Sequence, residues 1–255
     1  MMDKKSKIFG FAPIITVFAL VGVWYIIALS IGKAVIFPMP HAVVASMGEL
    51  LCDGEFYLSL LGSLWKIAVS FAAAMALGVA LAVLSASVAF FEKLFYPIVV
   101  VARATPTMSI IFLCLLWFGK TYSPIVVSLL VIFPLLYSSC LTAIKSCDAK
   151  LLEMSEVFGV KRATVVKKLY LPFVADRMFA DGISVLSLNV KLIIAAEALA
   201  MSNVTLGRLI QIADENLETA RLFAVTVFAV LLSVALEYAL KGVRYILGRK
   251  RLWQR

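Results

Sequence analysis

Two groups of residues in this chain could do chemistry, and neither is built to make or break a covalent bond. The first is Ser184, Ser187 and Lys191, which fall at 0, +3 and +7 inside a long apolar stretch. On a helix that spacing sets two hydroxyls and an ammonium on one face, continued by Ala195. At about 1.5 Å per residue, Lys191 lies roughly 13 Å from Ala200 and roughly 21 Å from Arg177. That depth is close to the middle of a bilayer, beyond easy snorkelling, and costs at least about 2.5–3.5 kcal/mol. A polar stripe of this kind suits the wall of a watery passage, where it would replace part of the hydration of an anion. The competing reading is an internal ion pair or a contact with backbone carbonyls. Glu197 is six residues on, away from that face, and so is a poor partner within the same helix. Asn189 points elsewhere on the wheel and reads as interhelical glue, and Glu237 with Lys241 reads as a structural i, i+4 pair.

The second group is a polar segment held between two apolar ones. Lys150, Glu153, Glu156, Lys161, Arg162, Lys167 and Lys168 gather there. Within it Leu151, Met154, Ser155 and Phe158 recur at 0, +3, +4 and +7, which gives a helix with a largely apolar face. Asp148 suits its N-cap, and Gly159 suits the left-handed position just past its end. Val165, Val166 and Leu169 then line one side of a second helical stretch, and Pro172 marks the start of the next apolar run. The product is a short amphipathic helix with a greasy face and a charged rim. A partner's groove could bury that face; a helix resting on lipid is the bland alternative.

Other chemistries find no support. The chain has one histidine, His41, and four cysteines, Cys52, Cys114, Cys140 and Cys147, at no metal-site or disulfide spacing. There is no GxxxxGK[ST] phosphate loop, so ATP hydrolysis by that route is excluded and no bound cofactor or metal is expected. An intramembrane enzyme would need clustered His, Asp, Glu or Cys within its apolar segments, and only scattered ones occur. An ion-coupled secondary transporter would usually show repeated halves, and no repeat is visible.

Positioning these groups falls to helices solvated by lipid. The 255 residues are 63% hydrophobic and only 15% charged, with a mean hydropathy of +1.03. Soluble domains carry about a quarter charged residues. Six stretches are long enough to span a membrane as helices: 8–30, 58–84, 94–118, 124–144, 179–200 and 222–247. The basic flank of the first resembles a secretory signal, but its apolar run is too long, so a retained span is expected. A short amphipathic helix over 41–51 should lie in the interface after Pro38-Met39-Pro40. Gly78, Ala82 and Ala86 offer a small-residue stripe in the second span, and Pro106 should break the third. Lys4, Lys5 and Lys7, the basic residues of the segment 145–172, and Arg249, Lys250, Arg251 and Arg255 fall on one side of a six-span layout. That asymmetry places both termini and the central segment in the cytoplasm. It also explains the net charge of +9 without nucleic acid. The whole chain, 1–255, reads as one all-α membrane domain.

The run Glu153-Met154-Ser155-Glu156-Val157-Phe158-Gly159, followed by Leu171-Pro172, resembles the "EAA" loop of ABC-importer membrane subunits. Met154 and Ser155 stand where that family usually has two alanines. From about Pro38 onward the chain is similar to permeases of the nitrate/sulfonate/taurine/bicarbonate class. The stretches that carry this are Arg103-Ala104-Thr105-Pro106, Leu116-Trp117-Phe118-Gly119, Ala195-Ala196-Glu197 and Thr219-Ala220-Arg221-Leu222-Phe223-Ala224. The resemblance implies a type I importer fold in a bacterial inner membrane, with a cytoplasmic coupling helix between spans four and five. It implies two permease copies, two cytoplasmic ATPase subunits that hold ATP and Mg, and an extracytoplasmic binding protein that delivers the solute. Leu151, Glu153, Met154, Ser155, Phe158, Gly159 and Pro172 would then couple to the ATPase. The solute would be a small anion of the nitrate, sulfonate or taurine kind, or alternatively a vitamin-precursor pyrimidine or another neutral or cationic solute.

Overall fold

The computed structural model describes residues 3–147 and 149–252, with side chains left out for 3–14, 149, 152, 156, 162, 163 and 247–252. Asp148, the expected N-cap, lies outside the described residues. Ten α-helices follow one another: α1 Asp3–Ile31, α2 Pro40–Cys52, α3 Gly54–Ser87, α4 Ala89–Ala104, α5 Thr107–Lys145, α6 Ala149–Val157, α7 Arg162–Val165, α8 Leu171–Leu199, α9 Leu206–Glu215 and α10 Thr219–Leu252. A π-helical turn, Val166–Tyr170, joins α7 to α8. No strand occurs among the described residues. Among the described residues four helical stretches are long and apolar enough to cross a membrane: Gly54–Ser87, Thr107–Lys145, Val166–Leu199 and Thr219–Ile246, with a shorter apolar stretch at Ile15–Ile31.

The expected third span is two helices. α4 ends at Ala104 and α5 starts at Thr107, with Thr105 and Pro106 extended between them. The break falls at Pro106 because proline has no N–H to give and disfavours α geometry in the residue before it. The expected third and fourth spans are in turn joined within α5, whose 39 residues would reach about 58 Å if straight. They are not straight. Gly119 sits at φ 67°, ψ −177°, open to glycine alone. Ile110, Ile111 and Cys114 share one buried cluster with Val127 and Ala196. Along a straight helix Cys114 and Val127 would stand about 20 Å apart, so the two arms of α5 fold toward one another at Gly119.

α3, α5 and α8 form the centre. α3 and α5 meet along Ala74, Gly78 and Ala82, all buried. A Cβ on Gly78 would lie 3.0 Å from the Tyr137 N and 3.1 Å from the Leu136 Cβ. Ala86, expected in this stripe, is exposed instead, and Ala74 takes its place one turn earlier on the same face. α2 packs one side on the protein: Val43 and Leu50 enter the core with Phe56, Leu209 and Val225, while Val44 and Leu51 of its expected apolar face stay exposed. His41 stays exposed and meets the Tyr25 hydroxyl at 2.7 Å.

The two ends of the bundle are tied differently. Around α2, α9 and the start of α10, Thr219 donates to the Ala34 carbonyl at 2.7 Å, and Arg221 lies 3.8 Å from Asp53. Around α6, ion pairs link neighbouring helices: Lys145 with Glu92, and Arg244 in a two-pronged contact with Asp176 at 2.9–3.1 Å. Ser139 donates to Asp181, which also holds Arg177 at 3.1 Å.

Candidate functional site

α6 is short, and its last turn is closed by a glycine. The Phe158 N–H donates to the Met154 carbonyl at 3.0 Å, and the Val160 N–H to the Ser155 carbonyl at 2.9 Å. The second bond is the signature of a Schellman end, which needs a left-handed residue beyond the helix; Gly159 supplies it at φ 62°. The turn leaves apolar side chains uncovered: Val157 is 83% exposed and Phe158 75%, with Met154 and Leu151 about half exposed. Glu153 is exposed and Ser155 half-buried. The chain then re-enters a helix at Lys161, whose carbonyl accepts from Thr164 and Val165. Pro172 lies inside this helical rod. It has no N–H to bond back, and the widened π turn stands directly before it, with the Leu171 N–H donating to the Val166 carbonyl.

The polar stripe on α8 is divided. Ser184, Lys191, Ala195 and Leu199 are exposed and Leu188 half-buried, at 0, +7, +11, +15 and +4 along one face. Val185, Leu186, Asn189, Val190, Ile193 and Glu197 on the other faces are buried. Ser187 lies apart from Ser184 and Lys191. It is half-buried and donates to Glu237 on α10, which also holds Lys241 at 3.3 Å. Asn189 is the expected glue: it accepts from Ser70 at 3.0 Å and from Ser128, and donates to the Ile67 carbonyl at 2.9 Å.

A third site was not seen from the sequence. Lys66 of α3, only 7% exposed, lies 3.4 Å from Glu197 of α8, which is fully buried. Ser63 donates to Glu197 at 2.6 Å and accepts from the Leu206 N–H at 2.9 Å. The Gly207 N–H meets the same carboxylate oxygen at 3.4 Å. The first amides of α9, which have no partner within their helix, are therefore absorbed by Ser63 and Glu197. Glycine at 207 is required: a Cβ there would lie 2.4 Å from the Glu197 Cβ and 2.6 Å from the Ala198 N. The signal in the sequence is a lone lysine eight residues into the apolar run 58–84, opposite in charge to Glu197, which has no partner on its own helix.

Among the described residues no three His, Cys, Asp or Glu side chains gather as a metal site. Cys114, Cys140 and Cys147 are buried and free, as packing residues would be.

Known proteins resemble this chain in sequence and in fold. The putative aliphatic sulfonates transport permease protein SsuC of Bacillus subtilis (strain 168) is 27% identical over 217 residues, covering 83% of this chain and 77% of that protein. The formylaminopyrimidine transport permease protein ThiX of Halalkalibacterium halodurans is 24% identical over 161 residues, 63% of this chain and 64% of its own. Among solved structures, a bacterial ABC transporter involved in the import of the acidic polysaccharide alginate shares the fold. Its TM-score is 0.64 at 14% identity, covering 94% of this chain and 97% of that one. Residues 74–252 match the family described as binding-protein-dependent transport system inner membrane component. With most of its length inside that match, the chain belongs to this family and is a permease subunit of an ABC importer, a transport component and not an enzyme.

Proposed function

We propose that two copies of this chain form the passage of an importer for a small anionic solute, with α6 as the helix that couples them to two cytoplasmic ATPase subunits. Six crossings result when the arms of α5 count separately, with α4 and the first arm together making one. Both termini and α6 then lie in the cytoplasm, and α2 and α9 face the solute-binding protein outside. ATP and Mg belong to the ATPase partner, and this chain contributes motion and a path.

The observation that carries the coupling role is the uncovered tip of α6. Leu151, Met154, Val157 and Phe158 are 42–83% exposed on a helix that projects from the bundle. A phenylalanine left three-quarters in water forgoes about 1.5–3 kcal/mol of burial, which a partner's groove would return. Glu153, beside it and exposed, suits the charged rim, and Gly159 and Pro172 fix how the helix leaves and how the chain rejoins α8.

The open stripe supports the path. A lysine and a serine on an exposed face of a membrane-spanning helix belong against water or a second copy, since facing lipid costs Lys191 at least about 2.5–3.5 kcal/mol. Ser184 and Lys191 line the passage in this reading, while Ser187 fastens α8 to α10. A sulfonate-like anion fits the ammonium. A neutral pyrimidine is the second reading, favoured by the formylaminopyrimidine permease among the relatives.

Phe158→Asp tests the coupling role. The new carboxylate would have to be desolvated in the groove without a partner. The variant should insert normally but fail to co-purify with the ATPase from detergent extracts and fail to transport. Normal co-purification and uptake would remove α6 from the interface.

A further inference from the structure

Three helix ends in this molecule close with the same backbone bond, and they use different residues to do it. At the end of α6 the left-handed position is Gly159. At the end of α8 it is Met201 (φ 51°), with the Ser202 N–H donating to the Glu197 carbonyl at 3.0 Å. At the end of α9 it is Leu217 (φ 58°), with the Glu218 N–H donating to the Ala213 carbonyl at 2.8 Å. Glycine, or sometimes asparagine, is the residue this geometry favours, because a side chain there collides with its own backbone. Met201 and Leu217 carry that cost and return little of it by packing, being 43% and 65% exposed. Val204, the remaining non-glycine residue at positive φ among those described, is 47% exposed in the same loop. Its carbonyl is pressed on α3 at Gly62, where a Cβ would come within 2.4 Å.

These apolar tips stand at the end of the bundle opposite α6, and that end also carries six carboxylates. Glu49, Asp53 and Glu55 come from the junction of α2 and α3, and Asp214, Glu215 and Glu218 from the end of α9. The segments 32–56 and 201–221 hold these six carboxylates against Lys33, Arg208 and Arg221, with Lys120, whose carbonyl accepts from Ser202 beside Met201, as a fourth cation, in a chain whose net charge is +9. Arg221 bridges the two acidic groups, 3.8 Å from Asp53 and 3.6 Å from Glu218. An anionic lipid headgroup would be repelled here, and a second copy would bring like charges to like.

We propose that Met201, Val204 and Leu217 are the apolar contacts on which the solute-binding protein docks, and that the docking face of that protein is ringed with lysine or arginine. This rests on the importer reading above, which supplies the partner and places α9 outside. The side chains persist at positions suited to glycine because their contacts lie on another molecule.

The test exploits the conflict between backbone and surface. Met201→Gly and Leu217→Gly relieve the left-handed strain, so the permease–ATPase complex in nanodiscs should unfold at the same or a higher temperature. Titrated with the binding protein of the same transport system, each variant should need at least about fivefold more of it for half-maximal ATPase stimulation. The paired variant Asp214→Lys with Glu215→Lys should raise the same midpoint, and the wild-type midpoint should rise with salt. Glycine variants with the wild-type midpoint would overturn the docking assignment and leave the importer reading intact. Variants that lose the permease dimer while keeping the midpoint would make this an interface between copies, which also overturns it. A wild-type complex that binding protein does not stimulate at all would bring down the importer reading, and the docking site with it.

Discussion

Lys66 and Lys191 are alike in sequence and opposite in structure. Each is a single lysine well inside an apolar helix, on α3 and α8 respectively. Lys66 is buried against Glu197, in a knot that also holds Ser63 and the first amides of α9. Lys191 lies on the face of α8 that the described part of this chain leaves open. An ammonium inside a membrane protein must be paired, hydrated or covered. The first lysine meets that demand within the chain, so its role ends with the fold. The second finds no carboxylate among the described residues, and the proposed passage rests on that difference.

Glu197→Leu should break this contrast most violently. It strands Lys66 without its carboxylate and leaves Ser63 and the Gly207 amide without an acceptor. Removing one partner of a buried pair costs about 3–5 kcal/mol. The variant should lose most of its thermal stability in detergent, followed by intrinsic fluorescence or aggregation. Adding Lys66→Met to Glu197→Gln keeps an acceptor for Ser63 and Gly207 and removes the stranded charge, so most of the stability should return. If the double variant is as unstable as the single one, charge pairing is not what holds this knot.

Lys191→Met should do the reverse. No partner is stranded, so the unfolding temperature should hold or rise, while anion uptake into proteoliposomes falls by at least about tenfold, one charge-assisted contact being worth about 1.5–3 kcal/mol. Unchanged uptake would remove Lys191 from the solute's path. Lost uptake together with a large loss of stability would mean that Lys191, too, has a buried partner.

The smallest effects sharpen the same line. Ser63→Ala removes a hydroxyl that serves both Glu197 and the Leu206 amide, and should cost about 1–3 kcal/mol of stability. Ser184→Ala, on the open face, should stay within about 0.5 kcal/mol. Equal losses measured by thermal unfolding would erase the difference between the two faces of α8.

Much of this was legible beforehand, for local reasons. Gly159 and Pro106 act through their own backbone chemistry, so a left-handed helix end and a helix break follow wherever they stand. The apolar face of α6 follows from spacing alone. Ser187 and Lys66 were misjudged or missed because the information lay elsewhere in the chain. Ser187 sits on the wheel about 60° from Ser184, and whether it joins the open stripe depends on where α10 passes. Lys66 acquires meaning only when Glu197, 131 positions later, is brought to 3.4 Å. The division between the stretches 94–118 and 124–144 falls where Gly119 reverses the chain, and Pro106 splits the first of them into the end of α4 and the first arm of α5.

Composition, periodicity and the residues at turns determined by themselves that this is a multi-pass helical membrane protein with an amphipathic helix at one end, because lipid admits helices and leaves few other choices. They also set where glycine and proline must interrupt those helices. Only the tertiary structure decided which charges neutralise one another and which stay exposed. A helix in lipid is apolar on nearly every side, so the sequence does not mark which side meets its neighbours; packing at Ala74, Gly78 and Gly207 does.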